Sequence, residues 1–247
     1  KDNSFCVFTA AEAQLFGDES INDAIPDILA FEVSGRNSTT SFADIENRFI
    51  EYVKRVIDIC RDLDLYVIPS LFNRWHDPMV NCDSIYIDHF LPNSSWLHKF
   101  GNLFEDYIDA LCKAFGQEEH ILVWDICNEP MAYNGEFPAM ETVRQYELAW
   151  LHKIADRMRA NEVSQPLGIG SRGNEPMEVF GDACDVYLTH LYYVGGDTDK
   201  FEAKVLRFVE ESKKNNKPFY MEYTPSLKKI MECFQEYMIM QKKMIIL

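Results

Sequence analysis

Residues 121–130 read ILVWDICNEP, a mostly apolar segment that ends in Asn128, Glu129 and Pro130. A short run of this kind, without regular polar alternation, is typical of a strand that is buried on both faces of a parallel sheet. The segment therefore predicts a buried strand that carries a carboxylate, Glu129, at its C-terminal end.

The neighbouring segments repeat one pattern, in which an amphipathic helix is followed by a short apolar strand. Residues 48–64 place Phe49, Val53, Val56 and Cys60 at helical spacing, and the apolar run LYVIPSLF follows at 65–72. Helices and strands that alternate in this way indicate a parallel sheet covered by helices. Further helices are predicted at 102–116, about 141–160 and 200–215, and further strands at 166–172, 184–193 and 217–223.

Two earlier strands are predicted at 4–10 and 27–35, and the tail at 242–247 could add an eighth. A doubly wound sheet and a closed (β/α)8 TIM barrel both satisfy this alternation. No G-x-G-x-x-G or P-loop opens a helix, which lowers the support for a nucleotide-binding sheet. We therefore predict a (β/α)8 barrel that occupies residues 1–247 as a single catalytic domain. Because no helix follows the tail, its sequence leaves open whether the barrel is complete at the C-terminal end.

Polar and aromatic residues stand at the C-terminal ends of the predicted strands. In a barrel these ends meet at one rim, where barrel enzymes carry their active sites. The residues are Asn73, Trp75 and His76 after the third strand, Asn128 and Glu129 after the fourth, His190 and Tyr192 on the sixth, and Glu222 on the seventh.

Two of these residues, Glu129 and Glu222, could face each other across the barrel mouth. Hydrolysis of a glycosidic bond uses such a pair: one carboxylic acid protonates the leaving oxygen, and the other attacks the anomeric carbon or activates water. Retention of configuration requires carboxyl groups about 5–5.5 Å apart. The strand before Glu129 favours its role as the acid, because burial favours the protonated form of a carboxyl.

The segment WDICNEP resembles the W-x-x-x-N-E-P motif of clan A of the glycoside hydrolases, which includes family 5 endoglucanases and mannanases. THLYY at 189–193 resembles the His-x-Tyr motif of strand six in that clan, and KPFYMEY at 217–223 resembles its strand-seven segment. SLFNRWHDP at 70–78 is similar to the strand-three loop of mannanase-type members. The resemblance runs from about Phe49 to Tyr223.

This resemblance implies a retaining glycosidase, without a cofactor or metal, that cleaves β-1,4-linked glucan or mannan. It implies that Glu129 is the general acid/base and Glu222 the nucleophile, and that Asn128 contacts the sugar 2-hydroxyl. Tyr192 is implied to be a partner of the nucleophile, and Arg36 loosely matches an Arg expected after strand two. The substrate-binding residues expected on this basis are Asn128, His190, Tyr192, Asn73, Trp75, His76 and Arg36.

Two departures from the family pattern motivate a rival interpretation. The chain has no Trp after Trp150, whereas family 5 members usually carry one on strand eight, and Pro218 is one residue closer to Glu222 than is usual. The rival is a non-catalytic or degenerate carbohydrate-binding barrel. A barrel hydrolase acting on an ester or amide is a more distant alternative, because the sequence shows no Ser or Cys nucleophile motif and no metal cluster.

A second Asn-Glu-Pro tripeptide, at 174–176, stands in a different context. It follows a glycine and precedes MEVFG, so Pro176 suits the first turn of a helix and Glu175 suits the same N-terminal region. We interpret this copy as the start of a helix and assign it no catalytic role.

Composition restricts the partners and the location. The formal net charge of -16 argues against nucleic acid and anionic membranes, and favours a neutral oligo- or polysaccharide, with the oligomeric state left open. No apolar run reaches the roughly 20 residues of a membrane span, which predicts a soluble protein. The seven cysteines include no C-x-x-C pair and are expected to be mostly free, buried thiols, as in a reducing setting. A removed signal peptide is compatible with a start at Lys1, so we expect an extracellular or periplasmic location, with the cytoplasm left open by the free cysteines.

Overall fold

The computed structural model of the chain describes residues 42–73, 90, 103–131, 138–172, 176–191, 198–222 and 244–246. The strands predicted at 4–10 and 27–35 lie outside these residues.

Helices and strands alternate along the described chain, and those predicted from about residue 48 to residue 223 are confirmed. In chain order they are α1 (Phe42–Asp62), β1 (Tyr66–Ile68), β2 (Ser70–Asn73), α2 (Leu103–Phe115), β3 (Trp124–Asn128), α3 (Pro138–Ala160), β4 (Leu167–Ser171), a 3₁₀ segment (Met177–Ala183), β5 (Val186–His190), α4 (Thr198–Asn215), β6 (Phe219–Glu222) and β7 (Met244–Ile246). The strand predicted at 65–72 is divided into β1 and β2 at Pro69, which has no N–H to donate to a sheet.

Five strands form a parallel sheet in the order β2-β3-β4-β5-β6. Each strand therefore pairs with its neighbour in the chain, and a helix or the 3₁₀ segment connects every pair. Parallel strands need such crossover connections, because the chain must return to the same end of the sheet before the next strand begins. The predicted parallel sheet is confirmed for this part of the chain.

The tail strand β7 pairs with β1, and Val67 stands opposite Ile245. Val67 also forms a parallel bridge with Ile121, so β1 continues the line of β2 beside the segment that leads into β3. The tail, considered above as an eighth strand, thus joins β1 and not β6, which an eighth barrel strand would extend. The backbone of a short strand can pair with any exposed row of backbone N–H and C=O groups. The three apolar side chains of the tail therefore do not indicate which strand it joins.

The strands bury side chains on both faces of the sheet. Because successive side chains of a strand point to opposite faces, neighbouring residues enter two different apolar clusters. Ile169 and Tyr187 belong to the larger cluster, which also contains residues of the helices. A separate cluster, on the other face, consists of Ile68, Val123, Val186 and Leu188.

Four of the seven cysteines lie within the described residues: Cys60, Cys112, Cys127 and Cys184 are all buried and form no disulfide there. This confirms the expectation of buried thiols for these four. Burial raises the pKa of the Cys112 thiol to about 12, so it stays protonated at neutral pH.

Among the helices of the described residues, none combines the length and the apolar character that a membrane crossing requires.

The buried amide of Gln165 ties three segments together at the N-terminal end of the sheet. Its Nε2 donates to the carbonyl oxygens of Phe115, at 3.0 Å, and Glu118, at 2.8 Å. Its Oε1 accepts a hydrogen bond of 2.9 Å from the indole Nε1 of Trp124. Buried polar groups are stable only when their hydrogen bonds are made, so Gln165 fixes the end of α2 against the start of β3.

Replacement of this amide is expected to be costly. Gln165→Leu keeps the volume but leaves a buried indole N–H and two carbonyl groups without their partner, so we expect the free energy of unfolding to fall by about 2–4 kcal/mol. Denaturation in guanidinium chloride measures the change. The matched control is Gln117→Leu, at an exposed amide that donates to the Glu162 carbonyl, where we expect a change within about 0.5 kcal/mol. A loss below 1 kcal/mol for Gln165→Leu would contradict the assignment.

Candidate active site

Glu129 directly follows β3 and is buried, with 8% of its surface exposed. Its backbone has a φ of 51°, and its N–H donates to the carbonyl of Gly170 on β4 at 2.7 Å. A residue other than glycine at positive φ is uncommon and costs free energy, so this conformation persists only where surrounding contacts stabilise it. The hydrogen bond to Gly170 is one such contact.

The carboxyl group of Glu129 contacts His190, the last residue of β5. The Nδ1 atom of His190 lies 2.8 Å from Oε1 of Glu129, and 2% of the histidine is exposed. The structure therefore brings together two residues that the sequence places 61 positions apart. Burial of this pair removes water that would weaken the contact.

Arg172, immediately after β4, is a cation at the same carboxyl group. Its Nε lies 3.6 Å from Oε2 of Glu129, and 37% of its side chain is exposed. Sequence reasoning missed this residue. The sequence did place Arg172 at the C-terminal end of a predicted strand, and the other candidate residues stand at such ends as well.

Asp125, inside β3, is a second residue that sequence reasoning missed. It is buried, with 2% exposed, and its Oδ1 accepts hydrogen bonds from the N–H groups of Cys127 at 3.2 Å and Gly170 at 2.8 Å. Its Oδ2 accepts a hydrogen bond of 2.6 Å from the hydroxyl of Ser70. The available signal was its position as a carboxylate within the apolar run that precedes Asn128.

These bonds coincide with a bulge in β3. Asp125 stands opposite Gly168, and Asn128 stands opposite Gly170, so three steps along β3 match two along β4. A bulge interrupts the regular ladder of backbone hydrogen bonds and re-aims the side chains that follow it. The Asp125 carboxylate serves as acceptor for N–H groups of both strands at this point.

Gly170 makes room for the imidazole ring of His190. A Cβ atom at this position would lie 2.8 Å from Nε2 of His190 and 3.2 Å from Oδ2 of Asp125. The first distance is too short for a stable contact, so the ring lies where a larger residue would put its side chain. His190 thus directs Nδ1 to Glu129 and Nε2 to the space above Gly170.

Helix α3 holds the turn that follows Glu129. The N–H of Met131, whose φ is 59°, donates to Oε2 of the fully buried Glu147 at 2.9 Å. Nε of Arg144 donates to the Met131 carbonyl at 3.5 Å. No sequence signal distinguishes Glu147 from the other acidic residues of this helix.

The ends of the five strands bring further predicted residues to the same edge of the sheet. Asn73 stands opposite Asn128, and Glu222 stands opposite His190. The pairing of β5 with β6 is regular, so the described part of β6 has no bulge. Outside the described residues lie the side chains of Asn73 and Glu222 and the whole of Arg36, Trp75, His76 and Tyr192.

The second Asn-Glu-Pro tripeptide precedes the 3₁₀ segment. Pro176 is the N-cap of that segment, one position earlier than predicted, and Asn174 and Glu175 lie outside the described residues. The predicted helix is therefore confirmed as a 3₁₀ helix. Within the described ranges, no group of His, Cys, Asp and Glu side chains is arranged to hold a metal ion.

The family model described as Cellulase (glycosyl hydrolase family 5) matches residues 29–171, more than half of the chain. The chain belongs to glycosyl hydrolase family 5. The matched region contains Glu129 and Asp125 and ends with β4, so His190 and Glu222 lie beyond it. Family 5 proteins are (β/α)8 barrels, so the predicted fold and the predicted glycoside hydrolase family are confirmed, and the described sheet is part of a barrel wall.

Among solved structures, a calcium-binding mutant of Bacteroides uniformis beta-glucuronidase 2 matches this family 5 chain with 14% sequence identity and a TM-score of 0.47. The match covers 68% of this chain and 19% of that chain. No curated protein matches the chain. The family 5 assignment therefore rests on the family model.

The packing over Gly170 can be tested with two alanine substitutions on β4. Gly170→Ala places a methyl group against His190, and Gly168→Ala places one 2.7 Å from the side chain of Leu188. Both overpack the sheet, so we expect each to lower the free energy of unfolding by about 1–3 kcal/mol. NMR signals of the His190 imidazole should shift strongly in Gly170→Ala and little in the Gly168→Ala control. Unchanged His190 signals in Gly170→Ala would contradict the described placement of the ring.

Proposed function

We propose that this family 5 chain is a retaining glycoside hydrolase that cleaves β-1,4-linked polysaccharide of the glucan or mannan type by double displacement. The observation that carries the proposal is the buried Glu129 carboxyl group in contact with His190, which itself stands opposite Glu222. The reaction needs two carboxyl groups, and Glu129 and Glu222 follow or end strands at the same edge of the sheet.

Glu129 has the role of general acid/base. In the first step it protonates the glycosidic oxygen while Glu222 attacks the anomeric carbon and forms a covalent glycosyl-enzyme. In the second step the ionised Glu129 takes a proton from water, and the water displaces Glu222. The surroundings of Glu129 support both steps: burial favours its protonated form, and Arg172 at 3.6 Å favours its ionised form.

The register of the sheet supports Glu222 as the partner of Glu129. Glu222 pairs with His190, and adjacent strands lie about 4.8 Å apart. His190 in turn lies 2.8 Å from the Glu129 carboxyl group. A carboxyl separation of about 5–5.5 Å between the two glutamates is therefore expected in a crystal structure.

The remaining residues of the predicted site are proposed as sugar contacts. Asn128, beside Glu129, is assigned to the sugar 2-hydroxyl, and Tyr192 is assigned to the nucleophile. We place Arg36, Asn73, Trp75, His76 and His190 at the substrate subsites. We further propose a single barrel domain over residues 1–247, which acts on a neutral glycan outside the cytoplasm, in keeping with the net charge of -16.

Glu129→Gln and Glu222→Gln test the two catalytic roles. For a glycoside with a poor leaving group, loss of the general acid should lower kcat/KM by roughly 10²–10⁴-fold, and loss of the nucleophile should lower it by at least as much. Initial rates on a phenyl glycoside, whose leaving group needs protonation, measure both. Glu178→Gln, at an exposed carboxylate of the 3₁₀ segment, is the matched control and should leave the rates unchanged. Near-wild-type turnover by either active-site variant would overturn the mechanism.

A screen of glucan, mannan and xylan with reducing-end detection tests the substrate class. We expect the wild-type protein to release reducing ends from β-1,4-glucan or β-1,4-mannan and the Glu129→Gln variant to release almost none. Release from xylan alone would contradict the assigned substrate class. Binding to a polysaccharide without release of product would instead support a non-catalytic carbohydrate-binding barrel.

A further inference from the structure

The mechanism described above does not use Asp125, although this carboxylate is buried beside the site. Burial of an ionised carboxyl group is costly unless hydrogen bonds replace the lost water. The donors that replace it come from three successive strands: Ser70 of β2, Cys127 of β3 and Gly170 of β4. Asp125 therefore links β3 to both of its neighbours in the sheet, β2 and β4.

Gly170 connects Asp125 to Glu129 through the backbone. Its N–H donates to Oδ1 of Asp125 at 2.8 Å, and its carbonyl accepts the N–H of Glu129 at 2.7 Å. A shift of Gly170 thus moves the acceptor that holds the left-handed Glu129 backbone. Because Asp125 binds the N–H of Gly170, it also restrains the position of the Gly170 carbonyl.

The bulge between Asp125 and Asn128 lies directly before Glu129. Side chains alternate between the faces of a strand, so a slip of one residue sends every later side chain to the opposite face. The extra residue in β3 produces such a one-residue change relative to β4 before the chain reaches Glu129. The bulge therefore sets the position from which the chain enters the left-handed turn at Glu129.

Asp125 also borders the ring that contacts Glu129. A Cβ atom on Gly170 would lie 2.8 Å from Nε2 of His190 and 3.2 Å from Oδ2 of Asp125, so both side chains border the same space. The Asp125 carboxylate thus limits where the imidazole can lie. Movement of either side chain into this space would change the 2.8 Å contact between His190 and Glu129.

We propose that Asp125 is a positioning residue for the acid/base: it stabilises the β3 bulge and the Gly170 backbone, and so keeps the Glu129 carboxyl group at His190. This inference rests on the proposed role of Glu129. Asp125 itself touches neither the substrate nor the reacting atoms in this scheme.

The test compares two substrates that need the acid to different degrees. A 2,4-dinitrophenyl glycoside releases a stable anion and hardly needs proton donation, whereas the phenyl glycoside of the same sugar depends on it. Asp125→Asn keeps one acceptor oxygen but loses the charge that strengthens the bonds to Cys127, Gly170 and Ser70. We expect kcat/KM to fall about 10-fold more for the phenyl than for the dinitrophenyl substrate. Asp125→Ala should show a larger difference.

Asp185→Asn is the matched control, because Asp185 also accepts a backbone N–H of β4, that of Leu167 at 2.9 Å, but at the opposite end of the strand. This variant should lower stability without favouring either substrate. Equal losses on both substrates for Asp125→Asn would mean that Asp125 has a purely structural role and would overturn the proposal.

A crystal structure of Asp125→Asn gives a readout that does not depend on activity. The distance between Glu129 and His190 should lengthen beyond 3.2 Å, and an unchanged contact would also overturn the inference. Glu129→Gln separates the two hypotheses. If Glu129→Gln shows no leaving-group dependence, the proposed function fails; if it does and Asp125→Asn does not, the inference about Asp125 alone fails.

Discussion

The site depends on the need of one buried carboxylate, Asp125, for hydrogen-bond donors. In a low-dielectric interior a charged group without partners is too costly to retain, so the strands must place their donors around it. Ser70, Cys127 and Gly170 supply those donors from three neighbouring strands. The interruption of the β3 ladder and the left-handed turn at Glu129 both lie within a few residues of this group.

Around this carboxylate the strand ends form a layered site. Apolar side chains of the strands fill both faces of the sheet, and further polar side chains stand where β3, β4 and β5 end. Glu129, His190 and Arg172 meet there, so the proposed acid/base has one protonatable and one cationic neighbour. Helix α3 stabilises the outer side of the turn through Glu147. The geometry is thus supported from the strands and from a helix.

Periodicity and strand ends predicted much of this arrangement. The helical spacing of Val53, Val56 and Cys60 and the apolar run before Asn128 were sufficient for α1 and β3, because local pattern decides such elements. The bulge was not predictable, since it depends on a carboxylate that finds donors on two other strands. For the same reason, the roles of Arg172 and Glu147 and the partner of β7 could not be read from the sequence. Each of them is a contact between segments that are distant in the chain.

Strand β4 reads LGIGS, and its glycines at 168 and 170 place no side chains on one face of the sheet. Leu188 and His190 of β5 fill the vacant volume. Side chains of β4 and β5 therefore compete for the same volume. A substitution at position 168 or 170 of β4 requires a matching change at position 188 or 190 of β5. A relative with a larger residue at position 168 should carry a smaller one at position 188. A relative with a side chain at position 170 should have lost the histidine, and with it this form of the acid/base site.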